Sequence, residues 1–291
     1  LGVAREPLKT ITTVGEMQAA ADAWRRAGRT IGLVPTMGFF HEGHLTLMRQ
    51  ARQRADIVVV SLFVNPTQFA ANEDLSRYPR DFERDRAMAE SVGVDVIFFP
   101  DAKEMYPAGY QTTVAAPELS QPLCGKTRPT HFAGVATVCC KLFNIVKPHF
   151  AVFGEKDYQQ LLVVTRMAAD LNLDLEIVPG PTVREPDGLA MSSRNVYLSP
   201  PERAQAVWLS RSLQVAADLL AEGETCRDRI VGTVWETIRV RPLARIDYVE
   251  LRRLPDLAPA DEEPHGKHLL ALAVYFGPTR LIDNTVLSFP E

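Results

Sequence analysis

Long apolar runs, C-x-x-C motifs and dense basic clusters are all missing from this chain of 291 residues. No apolar stretch reaches the ~18 residues that a bilayer-spanning helix requires, so a membrane partner is not expected. The opening residues LGVAREP carry no basic segment followed by an apolar one. No signal peptide is therefore expected, and the cytoplasm is the default location. Cysteine is scarce, with four residues at 124, 139, 140 and 226 and no C-x-x-C spacing. Reduced, buried thiols are the expectation. An excess of positive charge is absent as well. The net charge is −4, and Arg25-Arg26 and Arg252-Arg253 stand as isolated pairs. A nucleic-acid binder shows a basic stripe or domain, so none is expected as a partner.

What remains is an ordinary globular composition, 46% hydrophobic and 23% charged, long enough for one large domain or two average ones. The spacing of Met17, Ala20, Ala21 and Trp24 predicts a helix stopped by Gly28. Strands are predicted at Thr30–Pro35, Asp56–Val64, Val94–Phe99, Ala151–Phe153 and Leu175–Val178. Helices are predicted over His44–Arg52, 80–92, about 133–146 and 157–171. The run DIVVVSLFV, apolar on both sides, suits a central parallel strand. Alternating strands and helices of this kind predict an α/β fold, a Rossmann-like parallel sheet with helices on both faces. Ligands of such folds sit beyond the carboxyl ends of the strands.

After about residue 183 the texture changes. Pro200–Leu213 reads as one long helix, 225–239 as another, and segments from Arg245, Leu269 and Thr279 as short strands. Leu254–Lys267, rich in Pro, Asp and Glu, reads as an exposed connector. A smaller C-terminal α+β domain is expected, with domains over 1–182 and 183–291 joined near Pro179-Gly180-Pro181.

Chemistry-bearing residues fall where strands end. After the first predicted strand comes PTMGFFHEGHL, in which Gly38 permits a tight turn. His41 and His44 then stand one turn apart at a helix start, with Gly43 beside them. Unpaired N–H groups there favour anions, so the segment can present two imidazoles and several donors to a polyphosphate. The pair could equally be caps or surface residues. Zinc would need a third ligand that is not nearby. In SLFVNPTQF, the amides of Asn65 and Gln68 could bind a hydroxyl or a carboxylate between Phe63 and Phe69. An ordinary Asn-Pro turn is the plainer reading. GEKDYQQL places Lys156 where it can reach a phosphate, or simply opens an exposed helix. MSSRN offers the hydroxyls of Ser192 and Ser193 and the fork of Arg194 to phosphate oxygens, or forms a polar linker. Asp81 and Asp85 follow Tyr78-Pro79-Arg80 at a helix start, where acidic residues are favoured in any case.

The H-x-G-H form of His41–His44 resembles the signature of nucleotidyltransferases and class I aminoacyl-tRNA synthetases. With SLFVNPTQF, RYPRD, GEKDYQQL and MSSRN in this order and spacing, residues 30–200 resemble the pantothenate synthetase (pantoate–β-alanine ligase) family. That resemblance implies ATP-dependent condensation of pantoate with β-alanine through pantoyl adenylate, with Mg²⁺, in a homodimer. It implies ATP contacts at Pro35, Thr36, Met37, His41, Gly43, His44, Phe153, Gly154, Lys156, Asp157, Val183, Met191, Ser192, Ser193 and Arg194. Asp157 would hold the ribose, Val183 and Met191 the adenine, and MSSRN would correspond to the synthetases' mobile K-M-S-K-S loop. It implies pantoate contacts at Met37, Asn65, Gln68, Arg128, His131 and Gln160, a metal contact at Asp85, and a flap including Tyr78. His41, His44, Lys156, Ser192, Ser193 and Arg194 would stabilise charge during catalysis. Phe39-Phe40, Thr130 and Val196 depart from common family residues without removing a chemical group. An adenylyl transferase that stops at a nucleotide product would share H-x-G-H but not the pantoate segments. A non-catalytic nucleotide sensor would not need the full set of phosphate contacts.

Overall fold

A computed structural model of the chain describes residues 7–70 and 73–291. The first six residues, on which most of the leader reading rests, lie outside the described residues. In chain order the first elements are β1 (Lys9–Ile11), α1 (Val14–Arg26), β2 (Ile31–Thr36), α2 (Glu42–Arg54), β3 (Ile57–Leu62), α3 (Phe82–Ser91) and β4 (Val96–Phe98). Next come α4 (Ala102–Met105), α5 (Pro117–Ser120), α6 (Cys124–Thr127), α7 (His131–Val146), β5 (Phe150–Gly154), α8 (Tyr158–Asp170) and β6 (Glu176–Gly180). The last are α9 (Pro200–Ala206), α10 (Trp208–Ala221), α11 (Arg227–Arg239), β7 (Ala244–Arg253), β8 (Gly266–Phe276) and β9 (Thr279–Phe289).

The chain divides into two compact units. The first spans residues 1–120, 128–155 and 160–181; the second spans 182–291 together with 121–127 and 156–159. In the first, six parallel strands run in the order β1-β4-β3-β2-β5-β6. Every residue of β3 is buried, as its unbroken apolar run requires. Val34, Val58 and Val60 meet Leu45, Met48 and Ala51 of α2 and Ala89 of α3. Alternate side chains such as Leu33 and Val59 belong to the opposite face, where α1 and α7 pack on each other and on β2. The strand order reverses between β2 and β5, so the loops leaving these neighbours flank the switch point where ligands of such sheets bind. The expected α/β architecture is borne out. Strand β1, three residues on a sheet edge, escaped the sequence reading because so short a segment carries no period.

The second unit has a three-stranded antiparallel sheet, β7-β8-β9. Its strands are longer than expected, with ten, eleven and eleven residues. Leu270, Leu272 and Val274 of β8 pack against Leu209 and Leu213 of α10 and Ile230 and Val234 of α11. The single helix expected over Pro200–Leu213 is two, broken at Val207. Ala206, Val207 and Leu209 are all buried, an arc wider than one straight amphipathic face accommodates. The connector after β7 is not fully exposed, since Leu257 and Ala260 are buried and their N–H groups bond back to Arg253 and Leu251. Of the four cysteines, none is in a disulfide; Cys124 and Cys139 are buried, whereas Cys140 and Cys226 are only partly so.

One glycine contact positions the candidate site. A Cβ on Gly134 of α7 would lie 2.5 Å from the Thr67 carbonyl oxygen. The helix therefore packs directly on the 3₁₀ turn Pro66–Gln68. Gly134→Ala gains about 1 kcal/mol of helix propensity but meets backbone that cannot swing away, at about 1–3 kcal/mol. The expected outcome is a net loss of about 1 kcal/mol and a melting temperature lower by about 2–4 °C, read by calorimetry.

Candidate functional site

The turn after β2 is held from outside. Gly38 has φ 86° and Phe39 φ 53°, a left-handed pair that reverses the chain. A Cβ on Gly38 would lie 3.0 Å from Asp85 Oδ2, so glycine is required for space as well as for conformation. Asp85, from α3, accepts the Phe39 N–H at 2.6 Å and the Phe40 N–H at 2.7 Å. Burial pushes the Asp85 carboxyl up, and the two N–H groups and Arg84 only partly oppose this. The Phe39-Phe40 departure is absorbed locally. Phe40 is wholly buried, and Arg84 lies over the Phe39 ring at 4.9 Å while donating to the Phe40 carbonyl at 2.8 Å.

The turn delivers two histidines. His41 is the N-cap of α2, its Nδ1 accepting the Gly43 N–H at 3.2 Å. His44 Nδ1 accepts the His41 N–H at 3.3 Å, which closes a reciprocal capping box. Their rings are 4.1 Å apart. A backbone N–H can only donate, so both Nδ1 atoms are acceptors and each neutral ring carries its proton on Nε2. Nδ1 therefore caps the helix, and on each neutral ring Nε2 is the nitrogen that carries a donor hydrogen. Pro35, Thr36 and Met37 lead into the turn half-buried, with Thr36 Oγ1 donating to Ser61 O at 2.8 Å. Met37 and Phe63 line a cavity of ≈ 210 Å³ with Phe39, Phe82 and Phe99.

Beyond β3, four expected acid-binding residues converge, though not as expected. Asn65 Nδ2 donates to Gln68 Oε1 at 2.9 Å and to Gly134 O at 3.1 Å. Its Oδ1 accepts from Thr67 and Tyr106. Asn65 is buried and its amide is engaged within the protein, where it orients Gln68. Arg128 Nη2 and His131 Nδ1 lie 3.2 and 3.0 Å from the Gln68 carbonyl oxygen. Arg128 is also paired with Glu73, at 2.5 Å from Nε and 2.8 Å from Nη2. It holds the turn rather than offering an open cation. Gln160 is half-buried on the first turn of α8 and does not take part in this network. Tyr78 is buried edge-on to Phe69, with ring centroids 6.0 Å apart.

Phe153 is buried and Gly154 half-buried at the end of β5. In the second unit Lys156 is half-buried and Asp157 exposed, on the 3₁₀ turn that follows. The Lys156 carbonyl accepts from Asn284 Nδ2 of β9 at 2.8 Å. The neighbouring Asp283, almost wholly buried, takes both arms of Arg184 at 2.7 and 3.0 Å. Arg184 pairs across a small hairpin with Ala190, and Met191 N–H donates to Val183 O at 2.9 Å. Ser192 caps the next 3₁₀ turn by accepting the Arg194 N–H at 3.2 Å. Ser193 is buried, Arg194 is half-buried, and Asn195 ties the string to Glu185 and Ala190. Val196, another departure, is 60% exposed, so it perturbs no packing.

Asp85 does not fit a direct metal contact. Its side chain is 1% exposed and both oxygens already accept backbone N–H groups. No group of three or more His, Cys, Asp or Glu among the described residues could hold a metal ion. Mg²⁺ carried by nucleotide phosphates and waters needs no such cage. The sequence reading missed Glu73, Tyr106, Gly134 and Asn284. Only Gly134, a glycine inside a helical pattern, gave a local signal.

A parallel sheet whose switch point carries an H-x-G-H turn at a helix start defines a nucleotide-binding α/β protein. The chain belongs to the pantoate-beta-alanine ligase family, whose model matches residues 9–286. It is 57% identical over 282 residues to the pantothenate synthetase of Syntrophus aciditrophicus, covering 96% of this chain and 97% of that one. It is 58% identical over 275 residues to that of Pelotomaculum thermopropionicum, covering 94% and 97%. The crystal structure of pantothenate synthetase from Thermus thermophilus superposes with a TM-score of 0.89 at 45% identity, covering 95% and 98%. The pantoate-beta-alanine ligase of Francisella tularensis, complexed with beta-gamma ATP and beta-alanine, gives 0.78 at 31%, covering 96% and 97%.

The Glu73–Arg128 pair makes a pH test. Burial raises the Glu73 pKa, but the Arg128 hydrogen bonds and charge and the Ala70 N–H outweigh this and hold it below the ordinary glutamate range. A depressed carboxyl stabilises above its unfolded pKa, and that contribution is lost as pH falls through the folded value. Glu73→Gln is expected to cost about 1–2 kcal/mol near neutrality. In melts taken from about pH 7 to about pH 3 the difference from the unsubstituted protein should shrink toward zero.

Proposed function

We propose that this protein joins pantoate to β-alanine, forming pantothenate with cleavage of ATP to AMP and pyrophosphate. One observation carries the reading: two histidines with both Nδ1 atoms tied to backbone N–H groups, their Nε2–H donors set at a helix start beside the sheet's switch point. Family membership supplies the substrates.

Carboxylates and amines do not condense unaided because the leaving oxygen is poor. In the first step a pantoate carboxylate oxygen bonds to the α-phosphorus and the bond to pyrophosphate breaks. In the second, the neutral amine of β-alanine bonds to the acyl carbon, the bond to AMP breaks and the amine gives up a proton. Negative charge grows on phosphate oxygens in the first step, where preorganised donors act. His41, His44, Lys156, Ser192, Ser193 and Arg194 are assigned that role. Pro35, Thr36, Met37, Gly43, Phe153 and Gly154 are assigned to the nucleotide, with Asp157 at the ribose and Val183 and Met191 at the adenine. Gln68, Gln160 and Met37 are assigned to pantoate, with Asn65, Arg128 and His131 holding Gln68 in place. Mg²⁺ carried by the ATP phosphates would supply charge neutralisation there, with no residue of this chain assigned as a direct ligand. No covalent enzyme intermediate is invoked, since none of these groups is an activated nucleophile. Residues 1–182 would carry the pantoate contacts and the histidine turn, and 183–291 the serine–arginine string. A cytoplasmic homodimer is part of this reading, and no helix among the described residues is long and apolar enough to cross a membrane.

The direct test incubates the protein with ATP, Mg²⁺ and pantoate, with and without β-alanine, and identifies products by mass. Pantothenate that depends on β-alanine is expected; a nucleotide product alone would point to an adenylyl transferase. His44→Ala should lower kcat for adenylate formation by about 10²–10³-fold, the usual cost of one preorganised donor. It also loses a cap worth about 1 kcal/mol, so the fold should persist. Preformed pantoyl adenylate should restore much of the second step. Lys156→Ala should behave alike, and failure of rescue in both variants would remove the assigned role.

A further inference from the structure

We propose that Asn65 and Tyr106 are positioning residues that fix the Gln68 side-chain amide as a hydrogen-bond donor, so that the group it meets on the hydroxy acid must be an acceptor. The inference rests on the reaction assigned above and deepens it.

The argument begins with groups whose polarity cannot change. The Thr67 backbone N–H, 3.4 Å from Asn65 Oδ1, can only donate. The Gly134 carbonyl, 3.1 Å from Asn65 Nδ2, can only accept. Turning the Asn65 amide over would set hydrogen against hydrogen and oxygen against oxygen, so its orientation is determined. Asn65 Nδ2 therefore donates to Gln68, and the Gln68 atom 2.9 Å away must be Oε1. With Oε1 engaged, what Gln68 offers a ligand is Nε2–H. The Gln68 backbone is held as firmly, its carbonyl facing Arg128 and His131.

Tyr106 completes the relay. Its hydroxyl donates to Asn65 Oδ1 at 2.9 Å, and Thr67 Oγ1 donates to the same atom at 3.0 Å. The ring is fixed against Phe63 and Tyr110, with centroids 6.2 and 5.1 Å away, and Lys141 lies over both tyrosines. Burial raises the Tyr106 pKa, which keeps the phenol protonated and donating at neutral pH.

A donor-only amide discriminates. It bonds a carboxylate or hydroxyl oxygen, while an ammonium group would set N–H against N–H. Of the two organic substrates, the hydroxy acid can satisfy Gln68 without an ammonium nearby and the zwitterionic amino acid brings one. The relay thus sorts the two before chemistry begins.

The test compares Tyr106→Phe and Asn65→Asp with the unsubstituted protein. Tyr106→Phe removes one hydroxyl and should raise KM for pantoate about tenfold, with KM for ATP and β-alanine within about twofold. Asn65→Asp replaces the donor by an acceptor, which turns Gln68 over and should raise KM for pantoate about a hundredfold or more. If Asn65→Asp fails to fold, Tyr106→Phe decides alone. KM for pantoate unchanged in Tyr106→Phe, or all three KM values rising together, overturns the relay. An unsubstituted protein that makes no pantothenate counts against the reaction, not against the relay. The relay is then decided by NMR of the ligand-free protein. Slow exchange of the Asn65 side-chain amide protons that is lost in Tyr106→Phe supports it, and equally fast exchange in both overturns it.

Discussion

Everything at the end of β2 hangs on one buried carboxylate. Asp85 reaches from α3 to the N–H groups of Phe39 and Phe40, in a turn that has left extended geometry. Hydrogen bonds to a charged acceptor are worth about 1.5–3 kcal/mol each. Burying a carboxylate costs several kcal/mol, about as much as both bonds return. Asp85 therefore adds little net stability. It converts folding energy into position, holding a left-handed turn that would otherwise open, and with it the helix start that carries His41 and His44. Arg84, on the same helix, fixes the other side of the turn through the Phe40 carbonyl.

The same logic recurs at Gln68. A side-chain amide or an imidazole is ambiguous by itself, able to present either face or tautomer. Here backbone groups of fixed polarity remove the ambiguity. Gly43 and His41 N–H groups set the two histidine tautomers directly, and Thr67 N–H with Gly134 C=O sets Asn65 and through it Gln68. Donor polarity is thus set by the fold before any ligand arrives, and it does not have to be found in the transition state.

Much of this was legible in the sequence, for stated reasons. The parallel sheet followed from apolar runs such as Ile57–Leu62 alternating with helical periods, and the histidine turn followed from Gly38 and the H-x-G-H spacing. The strands of the second unit were found but read as too short, because polar residues such as Lys267, His268 and Ser288 near their ends interrupt the apolar pattern. Contacts that span the chain were not legible. Asp85 looked like an acidic first turn or a metal neighbour, because its partners lie 45 and 46 positions away. Tyr106 and Asn284 belong to no motif, and their roles arise from bonds to Asn65 and to the Lys156 carbonyl, 41 and 128 positions away. Local pattern reports on local structure; loops that must be held from elsewhere announce only that they are loops.

Strand β9 carries a practical lesson for anyone who tags, trims or fuses this chain. Asp283 and Asn284 are consecutive, so they address opposite sides of the ribbon, one gripping Arg184 and the other the Lys156 peptide. Loss of this last ribbon would therefore release both anchors, whose partners lie far back in the polypeptide. A C-terminal deletion made merely to aid crystallisation would loosen segments that it never touches.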